Sequence, residues 1–440
     1  MRPFTCSRSR ERPARGIVHN WPSMPRAALL VLVSGTALAV GLTEAPVGAS
    51  KPASPSSPSN TCAWPWTVGV RSYNVSMPDS GAADWFQPIV AGEETSITIS
   101  GTYPDARYFS LSVYTPYGTP VSVDGVSSSL ADYRLVPDRG SVNPWQRRAA
   151  PGGRYHVTVR SGVAPGERNA LPFPVGTTSL HPGYLHYRVY LPAGQDFAEI
   201  KLPTISITKG STSHTLPGCR THGEVPAAER APGGRPRSSP PPTPPPDAFF
   251  KSRLMNGFDN VDAAYVGAYV VRPAPTDVLV VTAKAPTFPA GSHPSPWPAP
   301  GVDMRYRSMC VGVGTSKLPT VVNKLPDGQV DYGCRADQQT KVNAAGDYAY
   351  VIGSEAQRAA ISRVAGVTFL PFSDSQPTPL YLLWLRNYLV NPGFAHSAQA
   401  VGKPDDAAAA AAAMGPYYPR VSTCALATLT TKGLSACETP

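Results

Sequence analysis

Five short blocks of this 440-residue chain occur twice, in the same order, at offsets between 193 and 199 residues. DARYFSLSVYTP (105–116) is answered by DMRYRSMCVGVG (303–314), so that Arg107, Tyr108, Ser110 and Val113 return as Arg305, Tyr306, Ser308 and Val311. Asp132-Tyr133 returns as Asp331-Tyr332, and Gly153, Tyr155 and Ser161 return as Gly346, Tyr348 and Ser354. Leu171-Pro172-Phe173 matches Leu370-Pro371-Phe372, and Arg188, Tyr190 and Leu191 match Arg386, Tyr388 and Leu389. One such match is chance; five in register point to a domain present in two copies. A period this long is far beyond the 20–50 residues of stacking repeats, so the chain is not a solenoid.

The repeated blocks have the character of strands. YFSLSVY, YHVTVRS and LHYRVYL alternate aromatic or aliphatic residues with small or polar ones, the pattern of a half-buried strand. TSITISG (95–101) and DVLVVTA (277–283) are rich in β-branched residues. Turn clusters such as YPDA, PDRGS, APGG and LPDG separate them. With 51 Pro and 38 Gly the chain cannot be a helical bundle, because Pro breaks helix interiors. Only 15% of residues are charged and 42% are hydrophobic, which also excludes a coiled coil or a wholly disordered chain. The expected fold is all-β: two tandem antiparallel β-sandwich lobes joined by a proline-rich linker, with a short C-terminal helix.

Residues 1–49 read as an export signal with a long basic n-region, in which either Met1 or Met24 is the start. Arg26 precedes an apolar core from Ala27 to Leu42, too short to span a bilayer, and Val47-Gly48-Ala49 offers small residues for cleavage. The expected organisation then runs 50–61 (linker), 62–219 (first lobe), 220–247 (Pro-rich linker), 248–402 (second lobe) and 403–440 (Ala-rich helix and tail). Residues 226–246 hold nine Pro and favour extended polyproline. Residues 286–300 hold six more, expected to form an exposed loop. Asp405 or Asp406 can cap the seven-Ala run. Removing the six Arg and two Glu of residues 1–49 lowers the formal charge from +10 to about +6. No Lys/Arg stripe forms, so nucleic acid is not an expected partner. Nor is a stable membrane span expected once the signal is gone.

Six cysteines follow the leader, and an even number in an exported chain favours three disulfides, with fifteen connectivities open. Position along the chain favours Cys62–Cys219, Cys310–Cys334 and Cys424–Cys437. The first pair brackets one lobe, the second joins successive blocks, and the third closes the tail. No spacing suits zinc, and no metal or other cofactor is expected.

Residues common to both copies are first suspected of holding the fold. Arg107, Arg305, Arg188 and Arg386 lie in apolar strands, where a charge needs a partner. Asp132 and Asp331 are the expected partners within each copy. Residues in one copy only are better functional candidates. These are His181 and His186, in HPGYLH; separately, the aromatics Trp64 and Trp66 beside Cys62 are expected either to stack on a sugar ligand or to plug the end of a lobe. There is no G-x-S-x-G elbow, P-loop, Rossmann glycine pattern or H-E-x-x-H, so no catalytic residue is assigned.

The order ARYFSLSVY … NALPFP … LHYRVYLP, here Arg107 to Tyr114, Asn169 to Pro174 and Arg188 to Tyr190, resembles the β-sandwich module of an uncharacterised family of exported bacterial proteins. The second copy departs from it with Thr368-Phe369-Leu370-Pro371 in place of the Asn-containing turn. The resemblance covers roughly 95–205 and 303–400 and implies a fold, not an activity. The expectation is a non-enzymatic binding protein, secreted or in the cell envelope, with an envelope glycan or another exported protein as partner. The alternatives are a hydrolase acting on envelope polysaccharide or lipid between the lobes, and a structural adapter.

Overall fold

Alternating and β-branched segments become strands throughout, and the helices are few and short. The computed structural model describes residues 61–437 apart from 91, 93–94, 124, 175, 225–246, 253–256, 316 and 377. The expected leader, residues 50–60 and most of the 220–247 linker lie outside the described residues. Among those described, no helix is long and apolar enough to cross a membrane.

One order of strands occurs twice. In the first half (61–224) a sheet runs Ala82–Ile89, Gly183–Pro192, Ala106–Tyr114, Ser129–Ala131, extended beyond Ala82–Ile89 by Trp66–Val68 and Gly223–Glu224. In the second half (247–437) the order is Ala263–Val271, Leu380–Val390, Met304–Val313, Cys334–Ala336. A second sheet in each half runs Thr212–Thr215, Thr204–Lys209, Thr95–Thr102, Arg154–Arg160, Ala170–Pro172 and, correspondingly, Arg420–Ala425, Asp277–Lys284, Asp347–Gly353, Val367–Pro371. Each half adds a two-stranded hairpin, Ser122–Val123 with Val126–Ser127 and Val322–Lys324 with Val330–Tyr332. Register is shared as well. Arg188 lies opposite Ser110 and Tyr190 opposite Tyr108, while Arg386 lies opposite Ser308 and Tyr388 opposite Tyr306.

Each pair of sheets encloses an apolar cluster. Phe109, Leu111, Val113, Ile97, Ile99 and Val157 belong to one, and Met309, Val311, Leu279, Val281, Tyr350 and Ile352 to the other. Burying each such side chain contributes about 1.5–3 kcal/mol before chain entropy is counted. Three disulfides, Cys62–Cys219, Cys310–Cys334 and Cys424–Cys437, add covalent closure, and none crosses between halves. Asp406, not Asp405, caps the helix Ala407–Met414, accepting from the Ala409 amide at 2.9 Å.

The half-buried reading of YFSLSVY is corrected. Ala106–Tyr114 is buried at all nine positions, and Gly183–Pro192 and Met304–Val313 at all ten. The alternating apolar residues fill the core of their own half. The opposite faces of the two sheets that hold Ala106–Tyr114 and Met304–Val313 pack on each other through Tyr108, Tyr190, Tyr306 and Tyr388. The 286–300 insertion is likewise no free loop. Trp297 is buried, its amide donates to the Trp145 carbonyl at 2.8 Å, and the Gly291 carbonyl accepts from Arg107 Nε at 2.7 Å.

Candidate functional site

The faces that meet carry charges, and burial forces each charge to find a partner. Arg107 donates to Asp337 at 2.5 Å and Arg305 to Asp132 at 2.8 Å, so each arginine reaches across to the opposite half. This corrects the expected pairing. The counterpart of Asp132 is Asp337, not Asp331. Both open a short 3-10 turn after the fourth strand of their sheet, and both accept a backbone amide of the neighbouring strand, from Phe109 and Arg307. Asp331 lies in a hairpin strand and pairs with Arg335 and Arg358. Between the crossed pairs the Tyr190 and Tyr388 hydroxyls meet at 2.6 Å.

The segments before strands Ala82–Ile89 and Ala263–Val271 also cross over. Ser76 and Met77 donate their amides to the Lys317 and Leu318 carbonyls, and Phe258 donates to the Gly118 carbonyl. Met77 and Phe258 occupy equivalent places, with φ of 57° and 60°. Met77 fills the space left by Gly312, and Phe258 packs among Phe86, Tyr114, Tyr184 and His186. Sequence reading missed both arms and the strands that follow them. The doubled Ala82-Ala83 and Ala263-Ala264 were the available signal.

The arms leave a cleft of about 380 Å³ between the halves. Asp84, Phe86, His186, Arg188 and Tyr190 form one wall, and Tyr265, Trp384, Arg386 and Tyr388 the other. The first wall holds a polar cluster that the second lacks. Neighbouring strands place Asp84 directly opposite Arg188, and Arg188 Nε donates to Asp84 Oδ1 at 2.8 Å. His186 Nε2 contacts the same oxygen at 3.0 Å, and its Nδ1 faces Arg188 Nη2 at 3.3 Å. A guanidinium only donates, so Nδ1 accepts and Nε2 carries the hydrogen, leaving a neutral ring. Burial, reinforced by the Arg188 charge, holds that imidazole down to about 4. Burial opposes ionisation of Asp84, but Arg188 and His186 together outweigh it and keep its carboxyl below the usual range.

In the second half Tyr265 stands where Asp84 does and Trp384 where His186 does. Arg386 instead donates to Cys310 Sγ at 2.8 Å and to the Met77 carbonyl, and lies 3.8 Å from Asp79. The expected partners of Arg188 and Arg386 within their own copies, Asp132 and Asp331, are thus replaced by Asp84 and Asp79. Arg188 Nη2 also donates to the Phe258 carbonyl at 2.9 Å, but its Nη1 is buried with no hydrogen-bond partner.

The other sequence candidates lie elsewhere. Trp64 is buried in the core, its Nε1 donating to the Pro203 carbonyl at 2.7 Å, and Trp66 packs with Phe86 and Tyr184. Neither forms an exposed platform. His181 sits in an exposed turn outside the cleft, so of the two histidines only His186 lines it. Asp79, Cys310 and Cys334 approach within 4.8 Å, but the two sulfurs are bonded to each other and offer no thiolate to a metal.

Against known structures, the chain is similar to an uncharacterised protein from Burkholderia cenocepacia, with 12% identity over 84% of this chain and 85% of that one, at a TM-score of 0.47. It is also similar to a protein from Vibrio parahaemolyticus, with 12% identity over 78% of this chain and 89% of that one, at a TM-score of 0.39. These neighbours are uncharacterised bacterial proteins. No protein-family model matches the chain, and no curated protein matches it.

Proposed function

We propose that the chain is an exported binding protein built from two duplicated β-sandwich lobes, and that it takes a small ligand in the cleft between them. The observation that carries this reading is the polar cluster of one wall, where Arg188 keeps a buried donor without a partner beside a cavity that Phe86, Phe258, Tyr265 and Trp384 also line. Leaving such a donor unsatisfied costs free energy, and a ligand acceptor recovers it. Repetition of strand order and register supports duplication. Three disulfides fit an oxidising compartment.

Binding fits the cluster better than catalysis. A general base works best with a pKa near the operating pH, and His186 lies well below it. Both ring nitrogens are engaged by Asp84 and Arg188, which leaves the ring no free nitrogen to activate a nucleophile.

A thermal-shift and native mass-spectrometry screen of the purified full chain against small exported metabolites tests the reading. Saturable binding without turnover, lost on enlarging the cleft wall with Ser76→Trp, is the expected result. Ligands that bind equally well to S76W place the site elsewhere.

A further inference from the structure

The charged groups of the cleft, and the tyrosine hydroxyls at its centre, can be accounted for one at a time. Asp84 is occupied by Arg188 and His186, and Asp79 by Tyr306, Ser308 and the Gly81 amide. The hydroxyls of Tyr190, Tyr388 and Tyr265 are joined to one another at 2.6 and 3.4 Å. Arg386 is occupied by Cys310 and Met77. Two cationic donors remain. One is the buried Arg188 Nη1; the other is the Lys317 ammonium at the exposed mouth, which makes no ion pair with a described residue. Neither can accept a hydrogen bond. The one carboxyl of the cleft outside an ion pair is Asp259, and burial, against the pull of Arg188, pushes it up to about 6. Around these donors the surface is largely aromatic and aliphatic, from Phe86, Phe258, Tyr265, Trp384, Val68 and Met77.

Resting on the binding reading above, we infer that the ligand is a carboxylate with a flat apolar body. Its carboxylate meets Arg188 from inside the cleft, with Lys317 drawing it in at the mouth, and its body lies between the Phe86–Phe258 and Tyr265–Trp384 rings. A sugar fits this inventory poorly. Its many hydroxyls each need a donor or an acceptor, and two of the three carboxylates here, Asp79 and Asp84, are already engaged. An ion-paired guanidinium with a free Nη is by contrast suited to one more oxyanion. The volume is that of a small ligand of this kind.

The probes are phenylacetate, 2-phenylethanol and glucose, titrated into the full chain while tryptophan fluorescence is followed. Trp384→Phe identifies the signal from the cleft. Phenylacetate is expected to give a saturable change with a dissociation constant on the order of millimolar, the strength open to a ligand of about ten non-hydrogen atoms. 2-Phenylethanol is expected at least about tenfold weaker, since hydrogen bonds to charged groups are worth about 1.5–3 kcal/mol. Lys317→Gln, an exposed change that leaves the fold intact, should weaken phenylacetate alone. Arg188→Gln should abolish the preference for the acid. If the alcohol or glucose binds the cleft as tightly as the acid, the ligand class is wrong and the binding reading stands. If none of the three perturbs Trp384 while another metabolite from the screen does, the class is again wrong. If no compound in either experiment perturbs it, both fall.

Discussion

Arg305, on a strand of the second half, donates to both carboxylate oxygens of Asp132, on a turn of the first, at 2.8 and 2.9 Å. Both side chains are wholly buried. The pair is mirrored by Arg107 and Asp337, so two buried ion pairs cross one interface in opposite directions. Removing one partner strands the other. Asp132→Asn is expected to cost about 3–5 kcal/mol, because a buried guanidinium is left without its counter-charge. Urea unfolding measures it. The double change Asp132→Asn with Arg305→Met removes both charges and keeps a side-chain oxygen for the Phe109 amide, so it should recover most of the loss; a double variant no more stable than D132N would show that the charges themselves are not the cause.

The shared buried face has a consequence for cleavage. A protease site placed between Pro226 and Pro246 and then cut should yield two fragments that still elute together in native gel filtration. The same fragments should separate in denaturing, non-reducing gels, because no disulfide joins the halves. Separation in native buffer would mean that the Tyr190–Tyr388 contact and the crossed arms do not hold the halves together.

His186 gives a pH signature. Its folded value is about 4, against an ordinary 6.5. The unfolded chain therefore takes up a proton before the fold does. The stability this ring contributes is complete above about pH 6.5 and falls as the pH drops toward 4, by about 3 kcal/mol in all. Asp259, raised to about 6, acts in the opposite sense over part of this range, so the comparison is with His186→Gln. Wild type should lose more stability than H186Q between pH 7 and pH 4.5. NMR of the ring should show a neutral Nε2–H tautomer that does not titrate above pH 5.

Gly312 reports on the arm. A Cβ there would lie 1.7 Å from Met77 Sδ. The arm cannot back away freely, since the Ser76 and Met77 amides are bonded to Lys317 and Leu318 at 2.8 Å. Gly312→Ala should destabilise by about 1–3 kcal/mol, the usual cost of overpacking. Adding Met77→Ala should relieve part of it; a strictly additive pair would place the strain elsewhere.

Alternation, β-branched runs and an abundance of Pro and Gly were enough to make the chain mostly β, because strand period and turn chemistry are local properties. The repeated blocks marked Arg107, Arg305, Arg188 and Arg386 as charges that would need partners, since burying a charge is costly on any fold. The partners themselves were decided by tertiary structure. Asp132 serves Arg305 rather than Arg188, and Asp84 serves Arg188, because a partner is set by which faces meet and by register across strands. Asp331 matched Asp132 in sequence, yet Asp337 occupies its place in space, since an insertion in the connecting hairpin shifts the numbering while the strand-end turn is kept. His186 stood out as present in one copy only, but its neutral state and its neighbour Phe258, 72 residues away, exist only once the second half closes over the first. Composition and spacing describe a chain one stretch at a time. The cleft is made by two stretches meeting, and no local pattern records that.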